Sequence, residues 1–173
     1  MSQRALFLCT GNSARSVLAE ATLRAWAGSR FVVFSAGSRP AGQIHPLAIQ
    51  TLQADGISTA GLRSKSWNEF ATDGGTPIDV VVTVCDSAAA EPCPVFFGDF
   101  VRTHWGLPDP AAATGTDEER ATAFQDAHAV IKARLMAFLT LSPSTWSDRA
   151  ELKTALDRIG FIESTDGTER PGA

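Results

Sequence analysis

Short apolar runs alternate along this chain with longer stretches in which apolar residues recur at helical spacing. Four runs predict buried strands, at 5–8, 31–34, 79–84 and, with a weaker signal, 100–105. Four stretches predict helices, at 13–28, 45–56, 117–141 and 148–159. Strands that alternate with helices are typical of a parallel sheet covered by helices on both faces. The pattern therefore predicts an α/β fold with three layers (αβα) around a four-stranded parallel sheet.

The carboxyl-terminal part of the chain follows a predicted domain of residues 1–141. Residues 142–163 form a predicted helical extension, in which Leu152, Leu156 and Ile159 share one side of the helix. We expect this extra helix to pack on the outside of the sheet, with a dimer or partner surface as the alternative. Residues 164–173 are polar and contain Gly and Pro, which predicts a disordered tail.

A polar loop joins the first predicted strand to the first predicted helix, and residues 9–16 there are Cys-Thr-Gly-Asn-Ser-Ala-Arg-Ser. A loop that ends at a helix N-terminus presents unpaired N–H groups and a positive dipole end, so it can bind oxyanions. Arg15 adds a guanidinium that can hold an anion through two parallel hydrogen bonds. The predicted oxyanion cradle consists of Thr10, Gly11, Asn12, Ser13, Ala14 and Arg15.

Cys9 lies at the base of this cradle. We expect the loop amides and Arg15 to lower the pKa of its thiol, and the Ser16 hydroxyl to bond the resulting thiolate. The residues alone therefore predict a cysteine nucleophile that faces a bound tetrahedral oxyanion.

Composition restricts the partners and the compartment. The 173 residues carry a formal net charge of −4, which argues against a nucleic-acid or anionic-membrane surface, so the anion site must be local. No apolar run is long enough to span a bilayer, and the first one is too short for a signal peptide. Three cysteines cannot all pair, which favours reactive thiols in a reducing cytoplasm.

The motif Cys-x5-Arg-Ser after a strand, with Gly11-Asn12, the following helix and Glu20, resembles the low-molecular-weight tyrosine phosphatases and their relatives, the arsenate reductases. The resemblance covers about residues 4–141 and implies the fold of those phosphatases. It implies that Asp109, held between two prolines, is the general acid. We expect His104, shortly before it, to pack or orient rather than to catalyse.

Two further cysteines separate this chain from the phosphatases. Cys85 follows the third predicted strand, so it is expected at the same edge of the sheet as Cys9. Cys85 and Cys93 resemble the resolving pair of the three-cysteine arsenate reductases. Ala14 stands where the phosphatases and many of the reductases carry a cysteine, so Cys9 cannot be oxidised to a neighbour within the loop.

The resemblance implies that the protein reduces arsenate, with phosphate or sulfate as competing oxyanions. Cys9 attacks arsenic while Asp109 protonates the leaving oxygen, Cys85 then attacks the sulfur of Cys9, and Cys93 attacks Cys85. No tightly bound cofactor is expected. The external dithiol reductant is thioredoxin, or glutaredoxin with a low-molecular-weight thiol, and the chain is expected to be a monomer.

The resemblance also suggests a metal site. Asn12, Glu20 and Ser35 match positions that help to form a potassium site in some of the reductases. Glu20 has an alternative role as a residue that braces the loop.

Two other functions remain open on the sequence. A phosphatase would use Cys9, Arg15 and Asp109 alone, with Cys85 and Cys93 as packing residues. The absence of Tyr from the chain and the run Ala-Ala-Ala at 111–113 weaken a phosphotyrosine substrate. An oxyanion or redox sensor without catalysis is the third hypothesis, and it would need a partner surface.

The segment from Cys85 to Cys93 is predicted to refold during a thiol relay. A helix over these eight residues would hold the two Cα atoms about 12 Å apart. A disulfide needs roughly 4.4–6.8 Å between its Cα atoms. Ala88-Ala89-Ala90 favours helix while Pro92 and Pro94 prevent it from continuing, so the segment is poised between helix and loop.

Overall fold

Parallel strands form the centre of the fold: β1 (Gln3–Cys9), β2 (Phe31–Gly37), β3 (Val80–Thr83) and β4 (Val101–His104). They pair in the order β2-β1-β3-β4. The structure is a computed structural model that describes residues 2–71, 75–92, 96 and 98–163. Within those residues the α-helices are α1 (Arg15–Ala27), α2 (Pro46–Ala54), α3 (Asp86–Ala90), α4 (Asp117–Leu139), α5 (Pro143–Ser147) and α6 (Arg149–Ile159).

The central strand β1 is buried on both faces, as its unbroken apolar run predicts. Ala5, Phe7 and Cys9 contribute to one hydrophobic cluster, while Leu6 and Leu8 contribute to another on the opposite face. This alternation is the two-residue period of a strand, and it places Cys9 at the carboxyl edge of the sheet.

The layers that cover the two faces differ in thickness. The larger cluster takes in apolar residues from α1, α2, α4 and α6. The smaller cluster is closed over Leu6, Leu8 and Val81 by Trp67, from the 3₁₀ helix Trp67–Phe70, and by Phe96. The predicted three-layer α/β fold is confirmed, with long helices on one face and a short 3₁₀ helix in the layer on the other.

Residues 35–37, which lie beyond the predicted strand at 31–34, continue β2. Ser35 pairs with Phe7, and Gly37 pairs with Cys9, because the parallel register with β1 runs to the end of that strand. At the start of α1 the prediction was two residues too early, since the helix begins at Arg15 and leaves Ser13 in the loop. Both differences lengthen the contact between the end of β2 and the loop after β1.

The predicted carboxyl-terminal helix is present as α6. Asp148 caps it by accepting hydrogen bonds from the backbone N–H groups of Ala150 (2.9 Å) and Glu151 (3.0 Å). Its three predicted core residues, named above, are buried in the larger cluster, and the indole N–H of Trp105 donates to the Leu156 carbonyl over 2.8 Å. The division into a domain of residues 1–141 and an extension of residues 142–163 stays a prediction. The predicted disorder of 164–173 lies outside the described residues.

None of the helices in the described part of the chain is long and apolar enough to cross a membrane.

A buried histidine links α1, α4 and the end of α2. His128 Nε2 lies 2.8 Å from Thr22 Oγ1, and His128 Nδ1 lies 3.1 Å from Asp55 Oδ2. Lys132 donates to the same Asp55 oxygen over 2.7 Å. Burial, and then the Lys132 ammonium, lowers the pKa of His128 to about 4, although Asp55 opposes the shift. The folded protein therefore holds this imidazole neutral at pH 7.

His128 should make folding stability depend on pH. Its pKa of about 4 in the folded state lies below the usual value of about 6.5 in an unfolded chain. The unfolded state therefore binds more protons between these values, and the free energy of unfolding should fall by about 3 kcal/mol between pH 7 and pH 4 from this residue. Urea unfolding of the protein and of His128→Gln across this range measures it. Parallel curves for the two proteins would contradict the assignment.

Candidate active site

The loop from Cys9 to Arg15 is held from outside by the segment that follows β2. Its carbonyl oxygens accept backbone hydrogen bonds from that segment: Thr10 from Arg39 (2.9 Å), Gly11 from Ala41 (2.8 Å) and Ser13 from His45 (2.9 Å). In a planar trans peptide the following N–H group points the opposite way. The amides of Gly11, Asn12 and Ala14 are therefore directed to the inner side of the loop, as an oxyanion cradle requires.

Asn12 fixes the centre of the loop. It is fully buried and adopts a positive φ of 44°, a conformation that Asn tolerates better than most residues. Its Nδ2 donates to the hydroxyls of Ser16 and Ser35, each over 2.9 Å, and its Oδ1 accepts from the backbone N–H of Lys65 over 2.9 Å. Gly37 permits this close approach, because a Cβ there would lie 2.4 Å from the Thr10 carbonyl oxygen.

The structure brings Cys9 and Cys85 together at the ends of the adjacent strands β1 and β3. Both are free and buried, and each lies close enough to the other to shift its pKa. Cys85 Sγ also accepts from the backbone N–H of Ala88 over 3.3 Å and lies 3.5 Å from Thr10 Oγ1. Two sulfur atoms are therefore available at the base of the cradle.

The expectation that Cys9 is the thiolate of this site is corrected by the structure. The hydrogen bond from Cys9, together with those from Thr10 and Ala88, lowers the pKa of Cys85 to about 5. Cys85 and burial instead raise the pKa of Cys9, against smaller opposing effects of the Asn12 amide and the Ser16 hydroxyl. The two thiols titrate as a pair that loses one proton easily and keeps the other.

Arg15 and Asp109 lie together at the edge of the cradle. The Arg15 guanidinium donates to the Leu107 carbonyl over 2.9 Å and lies 3.6 Å from Asp109 Oδ2. Asp109 also caps the 3₁₀ helix Pro110–Ala112, since its Oδ1 accepts from the backbone N–H of Ala111 over 3.0 Å. Within the described residues the buried Arg15 Nε has no hydrogen-bond partner, so a donor is available for a ligand.

The model of the low molecular weight phosphotyrosine protein phosphatase family matches residues 4–154. The chain belongs to this family.

Members of the family that resemble this chain include several arsenate reductases. The arsenate reductase of Bacillus subtilis (strain 168) is 38% identical over 132 residues, which are 76% of this chain and 91% of that protein. The crystal structure of the arsenate reductase from Archaeoglobus fulgidus superposes with a TM-score of 0.61 at 28% identity, covering 79% of this chain and 99% of that one. A thioredoxin-dependent arsenate reductase from Corynebacterium glutamicum gives 0.57 at 27% identity, covering 80% of this chain and 60% of that one.

The family site opens into a cavity of about 1100 Å³. Arg15, Cys85 and Asp109 line it, and so does Phe161, just after α6. Sequence reasoning missed the contribution of the carboxyl-terminal segment to this cavity. The only available signal was the apolar face of the helix, which predicts burial but not a position beside the cysteines.

His104 contacts two residues that lie close to Cys85 in the sequence. Its Nδ1 lies 2.8 Å from Thr83 Oγ1, and its Nε2 lies 2.9 Å from Asp86 Oδ1. Asp86 is the first residue of α3, so this contact ties the start of that helix to β3 and β4. Cys93, the third predicted relay residue, lies outside the described residues.

The predicted potassium ligands lie together but do not fit a potassium ion. Ser35 Oγ donates to Glu20, Asn12 donates to Ser35, and the Arg24 guanidinium and the Lys65 ammonium lie against the same carboxylate. The oxygens that a hard cation needs are thus taken by donors and positive groups. In the described residues no group of three or more His, Cys, Asp or Glu side chains could hold a metal ion.

Because the two thiols affect each other's titration, replacing either cysteine should change the pKa of the other. Cys85→Ala should lower the pKa of Cys9, because both the hydrogen bond and the charge of Cys85 raise it. Cys9→Ala should raise the pKa of Cys85, because the hydrogen bond from Cys9 is the largest influence that lowers it. Alkylation rates against pH, resolved by mass spectrometry of each cysteine peptide, measure both values. Unchanged titration of the remaining cysteine in both variants would show that the thiols do not interact.

Proposed function

We propose that the protein reduces arsenate to arsenite, with Cys9 as the nucleophile and Cys85 as the thiol that completes the reduction. The observation that supports this most strongly is that two free, buried cysteines lie close enough at the base of the cradle for each to shift the pKa of the other. A phosphatase of this family needs one thiol, whereas reduction of As(V) to As(III) takes two electrons and therefore two thiols. Relatives that are 35–38% identical are named arsenate reductases.

Arsenate binds on the inward amides of the loop and on Arg15. The unpartnered Nε of Arg15 and the amides after Thr10, Gly11 and Ser13 supply donors to its oxygens. The amino end of α1 begins at the same point, so its positive dipole end adds to the attraction. These fixed donors also stabilise the charge that builds up on the oxygens during attack.

The first step joins sulfur to arsenic. Cys9 forms an S–As bond as an As–O bond breaks, and Asp109 supplies the proton with which that oxygen leaves as water. The proton shared by the cysteines moves to Cys85 as Cys9 commits its electron pair. Two observations support this role of Asp109: it lies beside Arg15, and its side chain is 42% exposed to solvent.

The second step transfers the electrons. Cys85 loses its proton and attacks the Cys9 sulfur, so that an S–S bond forms and the S–As bond breaks. The bonding pair leaves with arsenic, which departs as arsenite, and the two thiols become one disulfide. The contact between the two side chains means that this attack needs no large movement.

Recovery of the enzyme involves Cys93 and an external dithiol. Cys93 attacks Cys85, which frees Cys9 and passes the disulfide to the segment after β3. We expect α3 (Asp86–Ala90), which lies between these two cysteines in the sequence, to unwind when they form a disulfide, because a helix from one to the other would hold their Cα atoms too far apart. A thioredoxin then reduces this disulfide, by similarity to the thioredoxin-dependent arsenate reductase of Corynebacterium glutamicum.

Cys85→Ser separates reduction from ester hydrolysis. The variant should lose steady-state arsenate turnover with thioredoxin and its reductase, because no second thiol can release arsenite. Any hydrolysis of an aryl phosphate should survive in Cys85→Ser and disappear in Cys9→Ser, which serves as the matched control. Reductant consumption and phosphate release are the two measurements. Normal arsenate turnover by Cys85→Ser would contradict the relay and favour a phosphatase.

Arg15→Lys should weaken oxyanion binding without changing the two thiols. A lysine ammonium cannot reproduce the planar fork of the guanidinium or the donor at Nε. We expect phosphate and arsenate to bind about tenfold to a hundredfold more weakly. Calorimetric titration with phosphate measures this, with Arg30→Lys on the exposed surface as the control. Equal affinities in the two variants would remove Arg15 from the binding site.

A further inference from the structure

Lys65 is a buried cation to which the steps above assign no role. It lies between the β2 region and the loop, and only 8% of its surface is exposed. Its ammonium lies 3.8 Å from Glu20 Oε2 and donates to the Arg63 carbonyl over 3.1 Å. A buried ammonium is costly unless it is paired, so its place beside a buried carboxylate calls for an explanation.

Glu20 divides its two oxygens between different partners. Oε1 accepts from Arg24, whose side chain is 43% exposed, so that partner lies at the surface. Oε2 accepts from the Ser35 hydroxyl and has the Lys65 ammonium beside it. The carboxylate oxygen that faces the loop is therefore the one that Lys65 neutralises.

A continuous chain of hydrogen bonds leads from this oxygen to the nucleophile. Ser35 donates to Glu20, Asn12 Nδ2 donates to both Ser35 and Ser16, and Ser16 bonds the Cys9 sulfur. The backbone of Lys65 is part of the same assembly, because its N–H donates to Asn12 Oδ1. The orientation of the Asn12 amide is thus set by Ser35, Ser16 and Lys65 together.

We propose that the Lys65 ammonium is a built-in cation that holds the oxyanion loop in its binding shape through Glu20, in place of a bound potassium ion. The positive charge compensates the Glu20 oxygen that accepts from Ser35, which orients the Ser35 hydroxyl and so the amide of Asn12. Lys65 is a positioning residue, and its value for catalysis rests on the proposed arsenate reduction. Its effect on the loop and the thiols does not depend on that reaction.

Removal of the ammonium should create a response to potassium that the natural protein lacks. Lys65→Ser leaves Glu20 without its buried counter-ion and leaves space beside Oε2, where a potassium ion can lie. The probe is potassium chloride against N-methylglucamine chloride at constant ionic strength. Arg63→Ser is the control. Arg63 lies two residues before Lys65 and is exposed, and its guanidinium pairs with Glu69.

The main readout is alkylation of Cys9 and Cys85 against pH, followed by mass spectrometry, which requires no arsenate. Without potassium, the first thiolate of Lys65→Ser should appear at higher pH than in the natural protein, because Asn12 no longer holds Ser16 in the position from which its hydroxyl lowers the pKa of Cys9. Potassium should move the profile back and raise the melting temperature of this variant alone. The natural protein and Arg63→Ser should respond equally to the two chlorides.

A second variant covers the case in which Lys65→Ser does not fold. Glu20→Gln with Lys65→Met removes both charges of the pair, so the double variant should be more stable than Lys65→Met alone and should not respond to potassium. The proposal is overturned if Lys65→Ser titrates like Arg63→Ser, if the natural protein itself responds to potassium, or if the double variant is as unstable as Lys65→Met. If the natural protein does not turn over arsenate while the variants show the expected thiol titration and potassium response, the proposed reaction is wrong and the role of Lys65 stands.

Discussion

The active site depends on keeping the carbonyl oxygens of the loop after β1 turned away from the anion. A single carbonyl rotated inward would replace a donor by a partial negative charge directed at the ligand. The segment after β2 prevents this by bonding Thr10, Gly11 and Ser13 from outside. That contact requires the end of β2 to lie against the loop, and Gly37 allows it because any Cβ there would meet the Thr10 carbonyl. The shape of the anion site therefore depends on one steric constraint at the end of β2.

Two sulfur atoms beside an anion site raise an electrostatic problem that the shared proton solves. Two thiolates at the base of the cradle would repel arsenate, whereas two thiols would be poor nucleophiles. One proton held between Cys9 and Cys85 leaves a single negative charge, which the hydrogen bonds of Thr10 and Ala88 support on the Cys85 side. The neighbouring positions of β1 and β3 in the sheet make this arrangement available, since both strands end at the same edge.

Features that depend on a local sequence pattern could be predicted from the sequence. Features that depend on a contact with a residue far away in the chain could not. The apolar run of β1 and the residues that follow it indicated the loop, the nucleophile and Arg15 without help from the rest of the chain. The extension of β2 through Ser35 was missed because its pairing with Phe7 is a contact across 28 positions. The pKa of Cys9 was predicted in the wrong direction because a thiol 76 residues away acts on it more strongly than the loop amides. Lys65 gave no signal at all, since nothing in its flanking residues shows that it meets Glu20.

The sulfur of Cys85 is also the cap of a helix. Its Sγ accepts the backbone N–H of Ala88, a donor in the first turn of α3 that has no partner within the helix. A charged sulfur is a strong acceptor at that position, and a sulfur bonded in a disulfide is a neutral, weak one. A five-residue helix has little stability of its own, so it depends on its cap. The oxidation state of the Cys85 sulfur thus controls the stability of α3. Unfolding of this helix after oxidation would present a reductant with a surface that the reduced protein does not have.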